Sequence, residues 1–276
     1  MTTENERLVE SIINDAPRLN ADSRLRFGCH PGVACFNACC GDVNIVLTPY
    51  DVLRLRRRLG LGAEEFIARH TIVPFSKEQK LPIPLLKMGT DEKKSCPFVG
   101  PAGCTVYEDR PWPCRMYPVG VAASGTRSRP GEQFYFLLEE PHCRGHEGGR
   151  EWTVAEWLGD QKVAEFDEFG ELFKEVTLHP RLLDGPPLPP KQLELYFMAT
   201  YELDRFRRFI FDSRFLQTFE VATDYAEKLR TDDEELLRFG FLWLRFSLFG
   251  EKTVKIRPEA LAAKQREIAS RAVTGA

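Results

Sequence analysis

The chain has 276 residues, 43% of them hydrophobic and 29% charged, the balance of a soluble globular protein that can bury a core in one large domain or two small ones. Its net charge of −3 gives no basic excess, so nothing in the balance indicates a nucleic-acid partner. The first twenty residues do not read as a signal peptide. The most apolar stretch, Phe239 to Phe249, is too short to span a bilayer and carries Arg245, so a cytoplasmic protein with no transmembrane segment is expected.

Residues 1–20 read as an exposed N-terminal arm with one short helix, Glu6 to Asn14. The first cysteine group follows among Gly28, Pro31, Gly32 and Gly41, in loop chemistry that permits tight turns. Asn44 to Leu47 is a short apolar run suited to a strand. Thr48 then caps a helix with Pro49 at its first position and Asp51 in its first turn, and Gly60 ends it. Arg54, Arg56, Arg57 and Arg58 on this helix read as a solvated face. A second short helix is expected over Ala63 to His70. Residues 71–95 are extended and proline-broken, and residues 133–139 read as a strand.

From Thr153 the character changes. Thr153 and Glu156 form a capping box that opens an amphipathic helix to about Val176, and a proline-rich connector runs to Pro190. Leu195, Ala199, Leu203, Phe206 and Ile210 share the stripe of one long helix. Thr231 and Glu234 suggest another capping box before an apolar helix that should be central, because it is apolar nearly all round. A basic, alanine-rich helix from Pro258 to about Val273 follows. The aromatics between Phe206 and Phe246 read as packed core. The expected architecture is α+β and mostly α. An arm (1–20) precedes a small, loop-rich cysteine domain with short strands (21–150), then a helical, bundle-like C-terminal half (151–276).

All eight cysteines lie between Cys29 and Cys143, and none occurs in residues 144–276. Cytosolic thiols are kept reduced, and scattered core cysteines would not respect such a border, so metal ligation explains the set best. The first group, Cys29, Cys35, Cys39 and Cys40, is spaced Cys-x5-Cys-x3-Cys-Cys. The second, Cys96, Cys104 and Cys114, is spaced Cys-x7-Cys-x9-Cys, with Cys143 beyond it. Neither is a pair of Cys-x2-Cys knuckles, which disfavours a zinc ribbon. Successive side chains of the vicinal pair Cys39-Cys40 point apart in extended backbone, so the two serve neighbouring sites or one is held aside. Eight thiolates suffice for two four-cysteine sites, one [4Fe–4S] cluster with spare ligands, or a multinuclear centre. An iron–sulfur cluster is the expected cofactor, with zinc the alternative.

Arg110 and Arg115 flank Cys114 and can offset thiolate charge at a bound cofactor, unless they pair with Glu108 and Asp109. Gly100 and Gly103 can turn backbone N–H groups toward sulfur, and Phe36, Phe98 and Trp112 can shield the site. His30, His142 and His146 adjoin cysteines but read as surface groups more than as ligands. No catalytic acid, base or nucleophile stands out, so whether the chain is an enzyme stays open, as does any protein partner or substrate.

Cys96-Pro97-Phe98, the run from Cys104 through Tyr107, Glu108, Arg110, Pro111, Cys114 and Arg115 to Tyr117-Pro118, and Cys143 together resemble the YkgJ-type cysteine-cluster family, of CxxCxxCC type. That family is usually described as a zinc- or iron-chelating domain. The first group departs from it, since the family commonly spaces these cysteines as Cys-x2-Cys-x2-Cys-Cys. Related clusters occur in flagellin lysine N-methylases, so the resemblance also permits a protein-modifying role. The chain has no glycine-rich S-adenosylmethionine fingerprint and no Cys-x3-Cys-x2-Cys.

Overall fold

The computed structural model describes residues 16–74 and 80–274, with side chains up to Arg266. The helix expected over Glu6 to Asn14 lies outside the described residues. Among the described residues helix dominates and the strands pair only in twos, as expected for an α+β, mostly α chain. Two compact units divide the chain. Of the described residues, the first comprises 16–61, 65–74 and 83–174, and the second 62–64, 80–82 and 175–274.

In the first unit, strand β1 (Arg24–Phe27) pairs antiparallel with β8 (Arg150–Thr153), Arg24 opposite Thr153 and Phe27 opposite Arg150. This ladder ties the chain just before Cys29 to the chain just after Cys143, so the whole cysteine region is a loop closed at its base. The side chains of Leu25 and Phe27 point inward onto Met116, Val119, Val154, Trp157 and Val163, and Cys143 packs on the edge of that cluster. Trp152 Nε1 donates to Phe27 O at 3.1 Å and Trp157 Nε1 to Met116 O at 3.1 Å, so both indoles anchor backbone beside the site.

Helix α1 (Pro49–Leu59) forms as expected. Thr48 Oγ1 accepts from Asp51 N at 3.2 Å, the Asp51 carboxylate accepts from Thr48 N at 2.8 Å, and Gly60 closes the other end. The solvated-face reading of its arginines holds for Arg57 and Arg58 only. Arg56 is buried, and Arg54 is half-buried and forked onto Asp109 at 2.8 and 2.9 Å, with Glu165 at 3.1 Å. Helix α2 (Ala63–His70) leads into β2 (Thr71–Ile72), which pairs with β3 (Leu85–Leu86). The strand expected over Asn44 to Leu47 is reduced to an isolated bridge, Val46 with Leu85. Hairpin β4 (Val99–Gly100) and β5 (Gly103–Cys104), short helix α3 (Trp112–Met116) and hairpin β6 (Val119–Ala123) and β7 (Gln133–Leu137) complete the loop. Leu19 exchanges backbone hydrogen bonds with Tyr135 at 2.7 and 3.1 Å, so the last residues of the expected arm are stitched to β7.

The capping box of Thr153 and Glu156 opens α4 (Val154–Asp160), but the helix does not run on to Val176. It breaks at Gln161 and Lys162, whose φ is +53°, and restarts as α5 (Val163–Thr177). The break presents the Gln161 carbonyl and side chain to Arg115 and Arg110.

The second unit is helical: α6 (Pro180–Leu183), α7 (Pro190–Thr200), α8 (Leu203–Phe211), α9 (Phe215–Thr218), α10 (Thr223–Thr231), α11 (Asp233–Phe249) and α12 (Pro258–Thr274). Among the described residues it has one sheet, which pairs β9 (Phe219–Glu220) with β10 (Lys255–Ile256). The long helix expected through Ile210 is two, broken at Tyr201-Glu202. The cap of α11 is Asp232, accepting from Glu234 N at 2.8 Å, because the Thr231 hydroxyl is bonded back to Glu227 O at 3.3 Å within α10. Helix α11 is central as expected, burying Leu236, Leu237, Phe239, Phe241, Trp243 and Leu244. A Cβ on Gly240 would lie 2.3 Å from Ala199 O, so only glycine lets α11 approach α7 this closely. Phe215, Phe219 and Phe246 pack against Trp243 with centroids 4.9 to 5.5 Å apart, the packed core expected of these aromatics.

Candidate metal centre

The first four cysteines ride on a chain of consecutive turns. Val33 N donates to His30 O, Phe36 N to Val33 O and Ala38 N to Cys35 O, each at 2.9 Å, and Cys40 N donates to Asn37 O at 3.1 Å. Asn37 and Asp42 bracket the vicinal pair with φ of +67° and +49°, a left-handed backbone that these two residue types tolerate best after glycine. The winding brings distant parts of the region onto these turns. Cys96 N donates to Cys40 O at 2.7 Å, and Gly41 bridges Ser95.

A Cβ on Gly41 would stand 2.6 Å from Lys93 O, so the two segments meet only because residue 41 has no side chain. Gly41→Ala is therefore expected to lower stability by about 1–3 kcal/mol, read as a lower urea midpoint at unchanged slope.

Cys104 ends the hairpin in which it pairs with Val99, three residues beyond Cys96. Cys114 lies in the middle of α3. Trp112 N, at the start of that helix, donates to Asp51 Oδ1 at 2.7 Å, and Trp112 Nε1 donates to Asp167 at 2.7 Å. Cys143 follows a turn closed onto Glu140 O at 2.9 Å, and the next amide, Arg144 N, donates to Cys35 Sγ at 3.1 Å. Cys29 leaves β1 just beyond Gly28, whose N–H donates to Gly145 O at 3.1 Å.

All eight thiols are free, six half-buried and Cys29 and Cys114 exposed. Burial and the neighbouring sulfurs Cys39, Cys35 and Cys143 push Cys29 up to about 11. Burial, with Cys104, also raises Cys96. Crowding by protein raises Cys114 despite its exposed surface, with Cys96, Asp51 and Cys104 adding and Arg110 opposing. Within the vicinal pair, a hydrogen bond from the Cys40 thiol lowers Cys39 and raises Cys40, and Cys40 further feels Cys96 and Cys114. Among the described residues no three Cys, His, Asp or Glu side chains already surround one point as ligands. The thiols nevertheless act on one another, Cys29 with Cys35, Cys39 and Cys143, and Cys114 with Cys96 and Cys104. Their chemistry fits a metal ion: soft thiols in reach of one another, held on short turns, with an amide N–H directed at sulfur.

Arg110, whose charge acts on Cys114, and Arg115 also hold neighbouring backbone. Arg110 stacks on the Tyr107 ring at 3.8 Å and donates to Tyr107 O and Gln161 Oε1. Arg115 donates to the carbonyls of Arg110 and Gln161, each at 3.0 Å, and of Glu108. Neither pairs with Glu108 or Asp109; Lys162 takes Glu108 at 3.4 Å and Arg54 takes Asp109. Of the histidines, His30 Nδ1 accepts Gly32 N at 3.1 Å, His142 faces Glu140 at 3.5 Å, and His146 bonds Leu138 O at 3.2 Å. Phe98 is buried, and Phe36 and Trp112 are half-buried. Two groups that cysteine spacing does not single out also belong here. The Asp51 carboxylate tethers the Cys114 helix to α1, and the buried Tyr117 hydroxyl faces Cys143.

Residues 28–144, from just before Cys29 to just after Cys143, match a family model described as "CxxCxxCC: Putative zinc- or iron-chelating domain". This stretch is similar to that family. The matched stretch lies within the closed loop between β1 and β8 and contains all eight cysteines. No curated protein and no solved structure matches the chain. Among the described residues no helix is long and apolar enough to cross a membrane.

Proposed function

We propose that the CxxCxxCC domain holds an iron–sulfur cluster on its cysteine thiolates, and that the protein has a redox or accessory role in the cytoplasm. The observation that carries this reading is the Arg144 N–H at 3.1 Å from Cys35 Sγ, within a set of eight free thiols. Amide-to-sulfur hydrogen bonds stabilise thiolate charge and tune the potential of clusters held by cysteine. Bound here, a cluster would supply one-electron chemistry. The chain itself would supply the sulfurs, the amide donors and the partial exclusion of water by Phe98 and Trp112. Thiolate ligands suit zinc equally well, and the family description names both metals.

Anaerobic purification, metal analysis and an absorption spectrum separate the two. Iron with acid-labile sulfide and a broad band near roughly 400 nm is the expected result. A colourless protein holding only zinc would overturn the cluster, and a protein without metal would overturn chelation itself.

A further inference from the structure

The geometry points to a division of the eight thiols into two four-cysteine metal sites, Cys29, Cys35, Cys39 and Cys143 in one and Cys40, Cys96, Cys104 and Cys114 in the other, abutting at the vicinal pair. This inference rests on the chelation reading above and deepens it.

The first set is gathered by three backbone connections. Arg144 N on Cys35 Sγ fixes the residue after Cys143 against Cys35. Gly28 N on Gly145 O fixes the residue before Cys29 beside the same segment. The turn from Cys35 to Ala38 then delivers Cys39 toward it, where the charges of Glu140 and His142, from the Cys143 turn, act on its sulfur. Cys29 correspondingly feels Cys39, Cys35 and Cys143. The buried Tyr117 hydroxyl faces this set as well, with Cys143 and Cys39 both acting on it.

The second set is gathered on the segment that pairs with Cys40 and Gly41. Cys96 N bonds Cys40 O at 2.7 Å, Gly41 bridges Ser95, and Lys94 O accepts Asp42 N at 3.1 Å, so Cys40 leaves the turn along the Cys96 segment. The β4–β5 hairpin folds Cys104 back over Val99, whose N–H bonds Cys96 O at 3.1 Å. Cys114 interacts with Cys96 and Cys104, and Cys40 with Cys96 and Cys114. The contact that links the sets is the one between the Cys39 and Cys40 thiols. A tetrahedral metal or a cubane cluster takes four thiolates, which is the content of each set.

The test counts metals. With zinc or cadmium alone added to the full-length metal-free protein, two ions per chain are expected. Cadmium-113 spectra of the unsubstituted protein should show two resonances, both of the all-sulfur type. Cys35→Ser with Cys143→Ser, or Cys96→Ser with Cys104→Ser, should each halve the metal content and leave one resonance in place. The mixed pair Cys35→Ser with Cys96→Ser, equal in number of lost sulfurs, should damage both sites and lose both resonances. A single resonance in the unsubstituted protein overturns the division, even if every variant fails to fold. So does equal loss in same-set and mixed pairs. Either result leaves chelation standing, whereas no bound metal in any form overturns both.

Discussion

Asp51→Asn is expected to destabilise the protein by about 1–3 kcal/mol at neutral pH and to loosen Cys114, although the residue is no ligand. Its carboxylate is fully buried and occupied on both oxygens. Oδ1 accepts Trp112 N at 2.7 Å, and Oδ2 accepts Thr48 N and Thr48 Oγ1, each at 2.8 Å. An amide keeps one acceptor and must turn an NH2 group toward a donor, so one buried N–H loses its partner. Alanine would orphan both ends. Because the donors lie in the cap of α1 and at the start of α3, the loss falls on the joint that positions Cys114.

The same carboxyl predicts a pH dependence with a definite sign. Burial raises its pKa from 3.8 to about 6, against the pull of the hydrogen bonds from Trp112 and Thr48. The folded state therefore binds the proton more tightly than the unfolded chain. The stabilisation from this group is complete below about 3.8 and is lost as pH rises through about 6. Urea titrations of the wild type and of Asp51→Asn at pH 5 and pH 7.5 isolate it. The wild type's advantage over the variant should be about 1.4 kcal/mol larger at pH 5. An advantage that grows toward pH 7.5 instead would mean that the hydrogen bonds, not burial, govern the carboxyl.

Features set by neighbours in sequence were legible before any coordinates. The capping boxes at Thr48 and Thr153, the end of α1 at Gly60, and the helix from Ala63 to His70 each depend on residues within one turn of one another. What sequence did not disclose depends on distant partners. The break at Gln161-Lys162 exists because two arginines some fifty positions earlier take up Gln161. Arg54 left the solvated face for Asp109 and Glu165, which α1 meets only in the fold. At the candidate centre, spacing identified the eight cysteines and their two sequence groups. Cys143 lies with Cys35 and Cys40 with Cys96 through backbone hydrogen bonds, which spacing does not encode.

Arg115 carries the largest expected loss, and the reason is what it holds. The side chain is 2% exposed and its guanidinium lies 4.1 Å from the centroid of Phe166. Its donors go to three carbonyls from three places: Arg110 before the Cys114 helix, Glu108 in the turn after Cys104, and Gln161 in the break between α4 and α5. A buried ion pair can be replaced by two apolar side chains at little cost, but these acceptors are backbone and cannot be removed. Arg115→Met should therefore cost about 3–5 kcal/mol, since each buried carbonyl left without a partner costs roughly 1–3 kcal/mol and water recovers part of that. Arg115→Lys keeps the charge but loses the planar fork that reaches three acceptors, so it should recover only part of the loss. Denaturant midpoints give the energies, and metal retained after gel filtration gives the effect on the centre. If Arg115→Met lies within about 1 kcal/mol of wild type, the guanidinium is not what joins these segments, and its place beside Cys114 must be explained by the thiolates after all.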